Sequence, residues 1–188
     1  MGKFVAYKSP NEQPTLSFAF FIKDELNDFT KKPIEFIAKF ILSKGKNSLF
    51  RFLEQKDLVI DLNVAIDLKN SDFDSLVITF SLTEKGMVKE NMNEIIKTTM
   101  WYLRKIESEG ITKEQFEEFK QMNLMSFIYK EKSDDIMEEV RSMSRNLNIY
   151  SYENVLNADY ILGEYDPESY KNVISLLKLE NALLILGI

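Results

Sequence analysis

From Leu58 to Leu68 the chain alternates. Leu58, Ile60, Leu62, Val64, Ile66 and Leu68 are apolar, and Asp61, Asn63 and Asp67 stand between them. Successive side chains of a strand point to opposite faces, so this spacing predicts a long strand with one buried and one wet face. Asn70-Ser71-Asp72 is a turn signal, and Leu76 to Leu82 alternates again through Ile78 and Phe80. The two runs therefore read as an antiparallel pair. Lys3–Tyr7 is a weaker strand pattern. Thr15–Ile22 is a stronger one, with Leu16, Phe18, Phe20 and Ile22 on one side. Ala182 to Leu186 is a final short strand.

Between these runs the period changes to that of a helix. Pro33 suits a first helical turn, and Ile34, Ile37 and Ile41 follow at helical spacing. Gly45 falls where a left-handed residue closes a helix. Asn47 or Ser48 can cap a second, shorter helix carrying Leu49, Phe52 and Leu53. Thr83 reads as the N-cap of a long helix, with Val88, Met92, Ile95, Thr99, Leu103 and Ile106 on its apolar stripe and Gly110 at its end. Thr112 and Gln115 form a capping-box pair, with Ile111 and Phe116 placed as a hydrophobic staple. The helix they start runs to about Tyr129. Ser133 reads as the cap of the next helix, whose stripe is Ile136, Val140, Met143 and Leu147. Asp166-Pro167 starts the last, through Tyr170, Val173, Ile174 and Leu177.

Strands come next to strands and helices come in blocks. The expected architecture is α+β, with helices covering one face of a mainly antiparallel sheet. The length, 188 residues, predicts one domain over 1–188. The C-terminal run Ala182-Leu183-Leu184-Ile185-Leu186-Gly187-Ile188 has no polar tail, and the expectation is a piece of a longer polypeptide.

Composition removes whole classes of chemistry. The chain has no cysteine, so disulfides, thiolate metal sites and thiol nucleophiles are absent. That fits a cytoplasmic or other reducing compartment. It has no histidine either, which removes the usual general base near neutral pH and the commonest metal ligand. The net charge of −6 argues against a nucleic-acid surface, which needs a basic stripe. No apolar run approaches the roughly 18 residues of a membrane span, and no signal-peptide pattern is present. Adjacent carboxylates such as Glu117-Glu118, Asp134-Asp135 and Glu138-Glu139 diverge on a helix, so they read as solvated faces. The five methionines from Met87 to Met125 read as core filler. No catalytic residue and no metal ligand emerges. The remaining hint is the strand Leu58–Leu68: at a sheet edge, its backbone could pair with an extended peptide.

An ordered set of phrases resembles the insulysin-like zinc peptidases, also called the pitrilysin or inverzincin family. Leu16-Ser17-Phe18 comes first, then Lys32-Pro33-Ile34-Glu35-Phe36-Ile37. Gly45-Lys46-Asn47-Ser48-Leu49 is similar to the family's glycine-serine-leucine turn. Phe80-Ser81-Leu82-Thr83-Glu84-Lys85-Gly86 and Glu109-Gly110-Ile111 follow. The stretch from Asn123 to Lys130, then Tyr152-Glu153-Asn154-Val155-Leu156, Tyr165-Asp166-Pro167 and Leu179-Glu180-Asn181-Ala182 complete the order.

The resemblance implies a metallopeptidase (LuxS/processing-peptidase-like) domain, one of several similar domains in a parent zinc metalloendopeptidase. The family's catalytic His-x-x-Glu-His motif cannot be held here. The chain therefore resembles the second, non-catalytic domain. Zinc is expected in the parent's catalytic domain and no cofactor in this one. The partners implied are a peptide substrate and neighbouring domains of the parent, with no nucleic acid and no membrane. The resemblance further implies a wall of the substrate chamber and an exosite strand that pairs with peptide. That strand corresponds to Leu62, Asn63, Val64, Ala65 and Ile66, with Gly45 and Ser48 in the turn beside it. The family's glycines and glutamine are replaced by Val64, Ala65 and Ile66, and Leu42-Ser43-Lys44 stands where a histidine and glutamate are usual. A degenerate module that only packs against neighbouring domains is the alternative.

Overall fold

The computed structural model describes residues 3–9, 13–22, 30–67, 74–130 and 135–188; the side chains of Asp67 and Ile149 lie outside that description. The fold is α+β. Its backbone divides into two compact units. The larger holds the five strands of the described residues, β1 (Lys3–Tyr7), β2 (Thr15–Ile22), β3 (Val59–Asp67), β4 (Asp74–Leu82) and β5 (Ala182–Gly187). It also holds helices α1 (Pro33–Leu42), α2 (Leu49–Gln55), α3 (Lys89–Glu109) and α6 (Pro167–Leu176). The smaller unit holds α4 (Lys113–Ile128) and α5 (Ile136–Ile149).

The sheet order is β1-β5-β2-β4-β3, with β1 parallel to β5 and every other pair antiparallel. Leu16, Phe80 and Leu62 stand in one row across β2, β4 and β3, Phe18, Ile78 and Val64 in the next, and Phe20, Leu76 and Ile66 in the third. In β2 and β4 these positions are fully buried. Phe18 meets Phe80 edge-on, with ring centroids 6.0 Å apart. Helices α1 and α6 cover this side, through Ile34, Phe36, Ile37, Ile41, Tyr170 and Ile174. The other parity, Ser17 on β2 with Val77, Thr79 and Ser81 on β4, is only half-buried, and Ser17 and Thr79 share a hydrogen bond of 2.9 Å. Alternation in the sequence therefore translates into one apolar sheet face and an opposite face whose polar residues include Ser17, Thr79 and Ser81.

Several local expectations change. Gly45 is not left-handed; Asn47 takes that conformation, with φ 66°, in a turn where the Ser48 N–H donates to the Gly45 carbonyl. Ser48 caps α2 by accepting from the Arg51 N–H at 3.3 Å. Thr83 does not cap the long helix, which begins at Lys89. Its hydroxyl instead accepts from the Gly86 N–H and donates to the Asp57 carbonyl, so residues 84–87 form a separate turn. The cap of α5 is Asp135, whose carboxylate accepts from the Met137 and Glu138 N–H groups. The expected Ser133 cap and the turn at 70–72 lie outside the described residues.

Two burial expectations fail. Ile136, Val140 and Leu147 of the α5 stripe are exposed. Met87, Met122 and Met125 are exposed, and Met92 and Met100 are half-buried, so these methionines fill no core. The α5 stripe, Met122 and Met125 belong to the smaller two-helix unit, which has too little interior to bury them; Met87 lies in the turn before α3, and Met92 and Met100 on α3 itself, in the larger unit. The Thr112–Gln115 capping box is present, and Ile111 and Phe116 beside it are buried.

Candidate functional site

The strand expected to bind peptide lies at one edge of the sheet. Its backbone direction follows from the anchoring of β4. The Leu82 N–H donates to the Pro14 carbonyl at 2.9 Å, and its carbonyl accepts from Gln13 Nε2 at 2.7 Å. Both groups of Leu82 thus point toward β2. The Thr83 N–H points the other way and donates to the Leu58 carbonyl at 3.2 Å. In an antiparallel ladder alternate residues direct both backbone groups to the same neighbour. Ser81, Thr79 and Val77 therefore bond toward β3, opposite Asp61, Asn63 and Ala65. The remaining residues, Leu62, Val64 and Ile66, direct their N–H and C=O groups outward from the sheet edge.

Side chains on this edge divide by face. Leu62 is buried on the helix side, and Val64 and Ile66 are half-buried there. Asp61, Asn63 and Ala65 are exposed on the polar face. The alternation predicted from Leu58 breaks at one place. A bulge between Val59 and Asp61 sets Val59 opposite Leu82 and Asp61 opposite Ser81, so one residue is extra. Val59 is consequently buried and Ile60 is 55% exposed, the reverse of the simple period-two reading. No sequence signal marked this bulge.

The Gly45–Ser48 turn sits beside this strand through Lys44. Its ammonium is 2.8 Å from Asp61 Oδ1 and 5.0 Å from the centroid of the buried Phe50 ring. Hydrogen bonds from Lys44 and then from the Leu62 backbone N–H hold the Asp61 carboxyl below the usual aspartate range. Sequence reading missed this pair because Lys44 and Asp61 are adjacent only in space. Ser48 is buried and committed to its cap, so it offers no exposed ligand group.

Among the described residues two other titrations are shifted, and both have structural causes. Burial, followed by the charge of Glu109, raises the Tyr102 phenol. Backbone and Thr112 hydrogen bonds in the first turn of α4 lower the Glu114 carboxyl. Neither group belongs to β3. A zinc centre does not fit this chain: it has no histidine or cysteine, and the described residues contain no cluster of three or more acidic side chains suited to a metal. No helix among the described residues is long and apolar enough to cross a membrane. What the edge can do chemically is donate and accept main-chain hydrogen bonds.

The sequence model of the family described as "Peptidase M16 inactive domain" matches residues 1–123, and that of the "Middle or third domain of peptidase_M16" matches residues 127–187. Human nardilysin is 27% identical over 175 residues, covering 91% of this chain and 15% of that protein. The insulin-degrading enzyme of Drosophila melanogaster is 28% identical over 155 residues, covering 82% of this chain and 15% of that protein. The chain thus spans about 15% of the length of these curated relatives. The crystal structure of pitrilysin superimposes with a TM-score of 0.89 at 24% identity, over 97% of this chain and 19% of that one. That likeness establishes the shared fold.

Proposed function

We propose, because this chain belongs to the peptidase M16 inactive-domain family, that it is a non-catalytic part of an insulinase-like zinc metalloendopeptidase that holds peptide substrate. In this reading residues 1–188 work as one domain of a longer multi-domain chain. The polar face of the sheet forms part of the substrate chamber wall. Zinc and the cutting chemistry belong to another domain of that chain. Peptide pairs with β3 by strand addition, using Leu62, Asn63, Val64, Ala65 and Ile66, beside the turn that contains Gly45 and Ser48.

The observation that carries this reading is the outward direction of the Leu62, Val64 and Ile66 backbone groups at the sheet edge. Exposed ladder groups are a template for another strand. Val64, Ala65 and Ile66 replace the glycines and glutamine expected from the resemblance. Their side chains stand perpendicular to the sheet, however, and ordinary sheets pair through valine and isoleucine. The substitution therefore leaves main-chain pairing open.

The test is calorimetric titration of the chain with a neutral extended peptide of about ten Thr, Val and Ser residues. The control peptide is methylated on alternate backbone nitrogens. Binding of the first and loss with the second is the expected result. Val64→Pro removes an outward donor without touching the ladder to β4, and should weaken binding while circular dichroism stays unchanged. Equal binding of both peptides, or indifference to Val64→Pro in a folded chain, rejects strand addition.

One observation favours a second reading, a module that only packs against neighbouring domains. Met122, Met125 and Ile128 of α4 and Ile136, Val140 and Leu147 of α5 are each at least half exposed. Apolar surface in such concentration marks an interaction site. Static light scattering decides its fate: a monomer at high concentration that binds no hydrophobic dye counts against it.

A further inference from the structure

The other edge of the sheet is β1, and nothing among the described residues pairs with its outer side. Its backbone direction follows from two bonds to Ile188. The Ile188 N–H donates to the Tyr7 carbonyl at 3.0 Å, and the Ile188 carbonyl accepts the Ser9 N–H at 2.6 Å. Tyr7 and Ser9 therefore turn these groups toward β5. Both groups of a strand residue leave on one side, and the side alternates along the strand. Lys3 and Val5 follow Tyr7 inward, while Phe4, Ala6 and Lys8 direct their N–H and C=O groups away from the sheet.

All five residues of β1 are exposed, whereas β3 keeps Leu62 buried. Phe4, Val5 and Tyr7 favour strands, and the register with β5 runs without a break. A hollow of about 390 Å³ lies beside the outward groups, lined by Ala6, Tyr7, Lys8 and Ile188. Charge separates the two edges. β1 is bracketed by the exposed Lys3 and Lys8, with no acidic residue from 3 to 9 and no ion pair to either lysine among the described residues. β3 carries the exposed Asp61 instead. Lysines on an open edge discourage pairing with a like-charged strand and favour one of opposite charge.

We infer that β1 is a second docking edge, which takes an extended peptide segment carrying acidic side chains opposite Lys3 and Lys8. The peptide main chain pairs with Phe4, Ala6 and Lys8, one side chain enters the hollow, and the two lysines select the sign of the charge. The inference stands apart from the reading of β3 above, since it concerns the opposite edge, other donors and the opposite charge.

Three peptides test it. Each has two variable positions with the spacing of Lys3 and Lys8, in a background of Thr, Val and Ser, and the variable residues are Glu, Gln or Lys. Calorimetric titration of the chain at low salt should rank them in that order. The Glu peptide should bind about threefold to tenfold more tightly than the Gln peptide, and the difference should fade as salt rises. The net charge of −6 favours the Lys peptide in any unspecific encounter, so the expected order runs against it. The double variant Lys3→Glu, Lys8→Glu should reverse the order, and both side chains are exposed, so the fold is kept. Ala6→Pro removes an outward donor, spares the bonds to β5, and should weaken the Glu peptide with unchanged circular dichroism. Val64→Pro should leave the Glu peptide unaltered. Equal binding of the Glu and Lys peptides, or an order that the charge reversal leaves alone, overturns the inference. Weakening by Val64→Pro and none by Ala6→Pro places the acidic peptide on β3 and overturns it too. If no peptide binds, the inference fails, and light scattering decides what fills the edge: a dimer abolished by Ala6→Pro assigns it to a second copy of the chain. Each of these failures leaves the β3 reading to its own test.

Discussion

Replacing Gly86 by alanine tests a place where glycine lets two backbone segments lie close together. A methyl at Gly86 would lie 2.0 Å from the Leu58 carbonyl oxygen and 3.1 Å from its carbon. Carbon and oxygen settle no closer than about 3.3 Å in even the short contacts of sheets, so the two segments must part by more than an ångström. The oxygen concerned cannot rotate away. It accepts the Thr83 N–H at 3.2 Å, and the same turn carries the bonds from Thr83 Oγ1 to the Asp57 carbonyl at 2.7 Å and from the Gly86 N–H to Thr83 Oγ1 at 2.9 Å. Losing two or three such bonds at about 1 kcal/mol each costs about 2–3 kcal/mol. Alanine restricts the unfolded chain and returns about 0.4–1 kcal/mol. The net expectation is a destabilisation of about 1–2.5 kcal/mol.

Urea denaturation followed by far-ultraviolet circular dichroism measures it, as a lower midpoint with an unchanged slope. Two other glycines serve as controls. Gly45 has one ordinary contact, the Ser43 hydroxyl at 3.7 Å, and no left-handed backbone, so Gly45→Ala should stay within about 0.5 kcal/mol of wild type. Gly110 has open space but φ 72° and ψ 179°, a region that essentially only glycine occupies, so Gly110→Ala should cost about 1–3 kcal/mol through conformation alone. A Gly86→Ala chain as stable as Gly45→Ala would refute the steric reasoning. Because Leu58 immediately precedes β3, the same variant should also loosen the bulge, seen as faster amide exchange at Val59 and Asp61.

Two further outcomes follow from named contacts. Thr112→Ala removes the hydroxyl that accepts the Gln115 N–H and should cost about 1 kcal/mol of the stability of α4; Thr112→Ser should restore most of it in the same melt. The Asp61 carboxyl should titrate below the ordinary aspartate midpoint by carbon-detected NMR, and Lys44→Met should move it upward. A depressed folded value means the contribution is present above the unfolded midpoint and disappears as pH falls through the lower folded one. The pair is about half exposed, so its effect on overall stability is small while its effect on the titration is direct.

Much of this fold was legible along the chain. Thr15–Ile22 and Leu76–Leu82 became strands whose apolar parity is buried, and Gly110, Thr112 and Gln115 marked the break between α3 and α4 where the structure has it. These succeed because period, cap and turn chemistry are local. The chemical exclusions were legible too, since absent histidine and cysteine need no geometry to interpret. The ordered phrases pointed to the family before any coordinates, and one of them ends in a close backbone approach. There Gly86 lies against the Leu58 carbonyl.

Local pattern alone settled that a strand runs through Val59–Asp67, that the helices flanking it were amphipathic, and that no histidine- or cysteine-based chemistry could be housed here. Tertiary structure decided the rest. The insertion of β5 between β1 and β2, the edge position of β3, the bulge that exposes Ile60, and the meeting of Lys44 with Asp61 each depend on residues distant in sequence. A strand's alternation states which of its faces is apolar; it carries no information about which neighbour satisfies its backbone. That is decided only when the sheet assembles, and here the assembly leaves the outward groups of Leu62, Val64 and Ile66 along the edge.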